Sequence, residues 1–197
     1  EIERGLVGSE MCIRDSYAIA ETLQSLGAKT TLVSGPTSLA EPNVEQVIKV
    51  DSADQMLEAC ESSLPADIAV CAAAVADYKI ANKEIAKIKK DGSRQNIILE
   101  ENPDILERLS KRNHLRPKLV VGFAAETSNL ERNSDEKLNK KGCDWVLGNN
   151  VSENSIFNQD TNKIYFTSKL YSENWELMTK KEVAKKLCQK ISLHLNN

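Results

Sequence analysis

Two unbroken apolar runs constrain this fold more than anything else in the chain: DIAVCAAA at residues 67–74 and LVVGFA at residues 119–124. Neither alternates apolar with polar positions, and both are far too short to cross a membrane. Runs of this kind are strands buried on both faces, which occur where helices cover both sides of a parallel sheet. The segments between them have helical spacing. In YAIAETLQSLGA (17–28) the apolar positions are Ala18, Ile19, Leu23 and Leu26, and Gly27 is a stop. Residues 53–60, 105–112, 130–141 and 180–194 read as further helices. Residues 30–34, 47–50, 96–100, 144–148 and 163–167 read as further strands. Asp51 or Ser52 can cap the second helix, Pro103 sits where a helix start favours it, and Gly142 closes the helix before it. Strand–helix alternation gives an α/β class: a Rossmann-like, mostly parallel sheet with helices on both faces.

Residues 1–16, EIERGLVGSEMCIRDS, have no clear period and read like translated sequencing-adapter read-through. They are set aside as a non-native leader, with residues 17–197 as one domain. That length supports a core without staples. The five cysteines form no C-x-x-C pair and there are only two histidines, so reduced thiols are expected and a zinc site is not. The net charge of -3 gives no global field for nucleic acid. No apolar run is long enough for a membrane span and no signal peptide is visible, which points to the cytoplasm.

In open α/β sheets, ligands bind beyond the C-terminal strand ends. That rule gathers Gly35-Pro36, residues 74–77, 123–127 and 148–150 on one edge. Asp77 there suits a ribose hydroxyl or a divalent metal, but also a simple turn. Lys87, Lys89 and Lys90 suit phosphates, but also a solvated face. Asn102, Pro103, Asp104 and Ile105 place a helix start at the same edge, for a ligand or as a plain cap. Lys137 and Lys141 share one helix face, and Phe123 is either core or an aromatic wall. The insert between Asp77 and residue 96 is too long for a tight connection and reads as a flap, or as an arm that pairs with a second copy. No G-x-G-x-x-G, P-loop or G-x-S-x-G motif is present, which counts against a nicotinamide enzyme, a P-loop enzyme and an acyl-enzyme.

The ordered motifs LVSGPTSL (32–39), AAAVADYK (72–79), KIKK (87–90), ENPDIL (101–106), VVGFAAET (120–127) and KLNKKGCDWVLGNNV (137–151) together resemble phosphopantothenoylcysteine synthetase. This is the synthetase half of a bifunctional bacterial coenzyme A biosynthesis protein, and the resemblance runs from Tyr17 to about Ile191. It implies a ligase that joins 4'-phosphopantothenate to cysteine through an acyl-cytidylate, using CTP and Mg2+. It assigns Asp77 to the nucleotide and its metal, and Lys87 to a catalytic, phosphate-binding role on a closing flap. Ala73, Ala74, Asn102, Pro103, Asp104 and Ile105 would frame the cytosine, and Phe123, Lys137 and Lys141 would complete the nucleotide pocket. It also implies a homodimer through the arm after Asp77, and a flavin-dependent decarboxylase half fused or associated. The family's intermediate-binding loop precedes the helix that here begins at Tyr17, and MCIRDS stands in its place. A non-catalytic nucleotide- or partner-binding subunit of the same fold is therefore the alternative.

Overall fold

The computed structural model describes residues 2–81, 97–151 and 161–196, with side chains from Ile13 onward. Lys87, Lys89 and Lys90 lie outside the described residues. Helix α1 (Ile2–Ser25) leads to β1 (Thr31–Ser34), β2 (Gln46–Lys49), α2 (Ala53–Ser62) and β3 (Ile68–Cys71). A short hairpin of β4 (Tyr78–Ile80) and β5 (Leu99–Glu101) brackets the insert. Then come α3 (Ile105–Ser110), β6 (Leu119–Glu126), α4 (Leu130–Lys141) and β7 (Trp145–Asn150). The C-terminal part contains β8 (Thr161–Asn162), β9 (Ile164–Ser168), β10 (Ser172–Asn174), β11 (Met178–Thr179) and α5 (Lys180–Leu195).

The main sheet has the order β10-β9-β7-β6-β3. Strands β3, β6 and β7 are parallel, and β9 and β10 extend the sheet in antiparallel fashion. Both apolar runs sit where expected, side by side, with Ile68 opposite Leu119 and Cys71 opposite Gly122. Leu119, Val120 and Val121 are fully buried, each stabilising by about 1.5–3 kcal/mol. One core lies under α1 and α5, built from Ile19, Leu119, Leu147, Phe166, Trp175 and Leu187. A second, around Val120, Leu138, Cys143 and Val146, lies under α3 and α4. The sheet is thus covered on both faces, as the sequence pattern requires.

Two glycines set local geometry. Gly142 stops α4 at φ 71, a left-handed conformation that costs glycine nothing. Gly122 on β6 lets α3 pack closely: a Cβ built there lies 2.6 Å from Leu106 Cδ2.

Several features differ from the sequence expectation. Strands β1 and β2 form their own two-stranded parallel sheet rather than continuing the main one. The strand expected at 96–100 is shorter and pairs with β4, which has no apolar pattern to announce it. The first helix does not start at Tyr17 but runs through the segment set aside, and Asp15 within it is buried. Its carboxylate pairs with Lys180 Nζ at 2.6 Å and accepts from Asn162 Nδ2. Burial raises the Asp15 pKa above 3.8, and the neighbouring Lys180 charge only partly offsets that. Thr179 caps α5 in a reciprocal box with Glu182.

Candidate nucleotide site

The segment leaving β3 and the segment entering α3 are tied together at the C-terminal edge of the sheet. Asn102 donates its backbone N–H to the Asp77 carbonyl (2.8 Å) and its side-chain amide to the Ala76 carbonyl (2.9 Å). Asp104 caps α3 by accepting from the Glu107 N–H at 2.9 Å. Its other carboxylate oxygen pairs with Lys141 from α4. One turn earlier on α4, Lys137 donates to the Phe123 carbonyl at 2.6 Å. Spacing by four residues thus puts both lysines on the face of α4 that meets β6 and α3.

These groups line one cleft of about 1250 Å³, whose walls include Ala73, Asp77, Asn102, Pro103, Asp104, Ile105, Phe123, Lys137 and Lys141. Ala74 is exposed next to this wall. Lys87 lies outside the described residues. Ile105 is buried and Phe123 packs partly against the core, so both have a structural role as well as a place on the wall.

Electrostatics separates the charged groups. Burial opposes ionisation of Asp104, but the Lys141 hydrogen bond and the Glu107 N–H outweigh it and hold its pKa below 3.8. The Lys141 pKa is raised by its hydrogen bond to Asp104 and, more weakly, by Glu107 and Asp77. Lys141 is therefore engaged with Asp104 before any ligand arrives. Among the described residues no carboxylate pairs with Lys137, so its ammonium can turn from a neutral carbonyl to a phosphate at small cost. The Asn102 and Glu107 N–H groups already have partners within the protein.

Among the described residues no group of three or more His, Cys, Asp or Glu side chains can hold a metal. A single carboxylate at Asp77 still suits Mg2+, which keeps waters and is held by one or two carboxylates plus substrate phosphates. Cys71 lines the cleft, but burial pushes its thiol up to about 12, and burial likewise pushes Cys60 and Cys143 up to about 11. Thiols held so high are protonated at neutral pH and are poor nucleophiles.

Some contacts had no signal in the sequence. The Asp104–Lys141 pair spans 37 residues, a separation that no local pattern announces. Lys79, the last residue of AAAVADYK, donates to Asp54 on α2 at 2.5 Å and lies 3.6 Å from Glu100, tying the β4–β5 hairpin to the body.

A mostly parallel α/β sheet with a cleft at its C-terminal edge, bordered by a cationic helix face and an acid, defines a Rossmann-like fold with its cleft where such folds take ligands. The chain belongs to the family described as the DNA/pantothenate metabolism flavoprotein C-terminal domain, which matches residues 13–194. It is 38% identical over 176 residues to the coenzyme A biosynthesis bifunctional protein CoaBC of Haemophilus influenzae, covering 89% of this chain and 44% of that protein. The chain therefore spans less than half the length of this bifunctional relative. A crystal structure of the C-terminal domain of CoaBC aligns with a TM-score of 0.74 at 33% identity, covering 92% of this chain and 82% of that one. A Cab2 mutant in complex with phosphopantothenate-cysteine shares the fold, with a TM-score of 0.65 at 14% identity over 93% of this chain and 80% of that one. No helix among the described residues is long and apolar enough to cross a membrane.

Proposed function

We propose that this domain is a CTP-dependent phosphopantothenate–cysteine ligase acting in coenzyme A biosynthesis in the cytoplasm. The observation that carries the reading is the single cleft in which Asp77, Asn102, Asp104, Phe123, Lys137 and Lys141 converge. CTP lies across the C-terminal sheet edge, with its base framed by Ala73, Ala74 and residues 102–105. Lys137 meets the phosphates. Lys141 is held in place by Asp104 and adds positive charge beside them. Mg2+, when bound with the triphosphate, supplies charge neutralisation next to Asp77. Lys87 is the catalytic cation, stabilising charge on the α-phosphate as the pantothenate carboxylate attacks it. Pyrophosphate leaves, and the cysteine amine then displaces CMP from the acyl-cytidylate.

The β4–β5 hairpin exposes Tyr78, Ile80, Ile97, Ile98 and Leu99, an apolar arm suited to a second copy of the chain. A homodimer through this arm, with a flavin-dependent decarboxylase half fused or associated, is part of the proposal.

The test is incubation with CTP, Mg2+, 4'-phosphopantothenate and cysteine while pyrophosphate release is followed. Release that depends on the pantothenate confirms the activation step, and no release refutes it. Full activity in Lys87→Ala would remove that lysine from the mechanism. The alternative, a non-catalytic binding subunit, rests on the residues MCIRDS before Tyr17. It gives thermal protection by CTP without pyrophosphate.

A further inference from the structure

Helix α3 is only 6 residues long, and so short a helix does not hold its own position. Three fasteners outside it do so. Its N-cap Asp104 pairs with Lys141, the last residue of α4. Its Leu106 packs on Gly122 of β6. Its last residue, Ser110, accepts from Arg116 Nε at 2.7 Å. That third contact is one arm of a larger clamp. Arg116 Nη1 donates to the Pro117 carbonyl at 2.9 Å. Nη2 reaches the Gly142 carbonyl at 3.4 Å and the two Asp144 oxygens at 3.0 and 2.9 Å. Asp144 Oδ2 also accepts from the Val120 N–H at 2.7 Å, and the Asp144 N–H donates to the Val120 carbonyl at 2.9 Å. Ser110 ends α3 and Gly142 caps the end of α4. One guanidinium therefore sits at the negative ends of both helices and is anchored to β6 through Asp144. The neighbouring cations are spent elsewhere: Lys111 meets Glu107, Arg112 meets Glu61 and Lys118 meets Asp67.

We propose that Arg116, held by Asp144, is a positioning residue of the cleft: it fixes the end of α3 against the end of α4 and so sets where Lys141 meets Asp104. Lys141 lies directly before Gly142, and Asp104 lies at the opposite end of α3 from Ser110. A shift of either helix end at the clamp is therefore passed to the pair. Arg116 itself is not on the cleft wall, so it acts through Lys141. The role needs the planar fork. A lysine ammonium is a point donor on a flexible stem and cannot span the Ser110, Gly142 and Asp144 oxygens together. The clamp stands on this geometry alone, and its consequence for CTP rests on the function proposed above.

Two readouts test it. The first is the titration of the Asp104 carboxyl, followed by carbon-13 NMR and assigned with Asp104→Asn. Burial opposes its ionisation, but Lys141 and the Glu107 N–H hold it below 3.8, and Arg116 is not among the groups that chiefly shift it. In Arg116→Lys the Asp104 titration should move up toward 3.8, although the charge at residue 116 is kept. Asp144→Asn, a milder cut of the same clamp, should move it in the same direction. Thr179→Ala weakens the fold at α5 and should leave it in place. The second readout is CTP affinity by calorimetry. Arg116→Lys should raise Kd about threefold or more, and by less than the roughly tenfold expected on deleting the Lys141 cation itself. The double variant Arg116→Lys/Lys141→Met should bind no more weakly than Lys141→Met alone, because the clamp acts through that lysine. An unchanged Asp104 titration in both clamp variants overturns the proposal. So does an equal shift in Thr179→Ala, or losses of affinity that multiply in the double variant. Failure of the parent protein to bind CTP would sink the nucleotide reading instead, and the Asp104 titration then decides the clamp by itself.

Discussion

Placing a methyl group at Gly122 tests how the sheet positions the site. The new Cβ of Gly122→Ala would lie 2.6 Å from Leu106 Cδ2, 3.4 Å from Cδ1 and 3.6 Å from Cγ. Leu106 is 7% exposed and cannot swing into water, so α3 must move off β6. Asp104 caps α3 and the Asn102 latch just precedes it, so the displacement reaches the cleft. Overpacking of this kind costs about 1–3 kcal/mol. The loss of glycine freedom in the unfolded chain offsets about 0.4–1 kcal/mol. The net is about 1–2 kcal/mol, or a fall in Tm of about 2–8 °C for a domain of this size. Urea unfolding gives the cost directly. Leu106→Ala alone leaves a cavity worth about 2–5 kcal/mol, but in the Gly122→Ala background the methyl fills part of it. The double variant should therefore be more stable than the sum of the singles predicts, by about 0.5–3 kcal/mol. Additive single effects, or a Gly122→Ala protein as stable as the parent, would refute the coupling between β6 and α3.

Removing the Lys180 cation leaves the buried Asp15 carboxylate without that partner, and Lys180→Met should lose about 3–5 kcal/mol in urea unfolding at neutral pH. Because the folded Asp15 pKa is raised, folding takes up a proton there, and this contribution to stability declines as the pH rises above 3.8. Lys180→Met should accordingly regain stability on acidification, and Asp15→Asn in the same chain should recover most of the loss. The Asp104 pKa is depressed, so the pair with Lys141 contributes fully above pH 3.8 and is lost as the pH falls through the lower folded value. Lys141→Met should remove that component from the acid limb of a pH–stability curve and weaken CTP binding about tenfold in titration calorimetry. Thr179→Ala removes the α5 cap and should cost about 1 kcal/mol, or about 2–4 °C in a thermal melt.

The legible elements were those whose burial is written into adjacent residues. Residues 68–74 and 119–124 are apolar throughout because both faces of β3 and β6 meet helices, so no partner had to be known to read them as strands. The 130–141 helix and its glycine stop were equally local, and the observed α4 has the same limits. Strands β4, β8, β10 and β11 were not legible. Each is two or three residues long and exists only because a distant segment pairs with it. The edge at which Asp77, Phe123, Lys137 and Lys141 converge followed from the rule that ligands sit at C-terminal strand ends, and the cleft gathers them.

Residue pattern and motif order were enough to give the α/β class, the cleft edge and the family, because each depends on short-range periodicity or on ordered identities. Tertiary structure decided which charges are already spent. Lys141 meets Asp104 and Asp15 meets Lys180 across 37 and 165 residues, whereas Lys137 turns to a neutral carbonyl. It also decided that the sheet is divided between β1 and β3. Chain order does not encode which strand edges find a partner, because pairing is set by the three-dimensional course of the backbone.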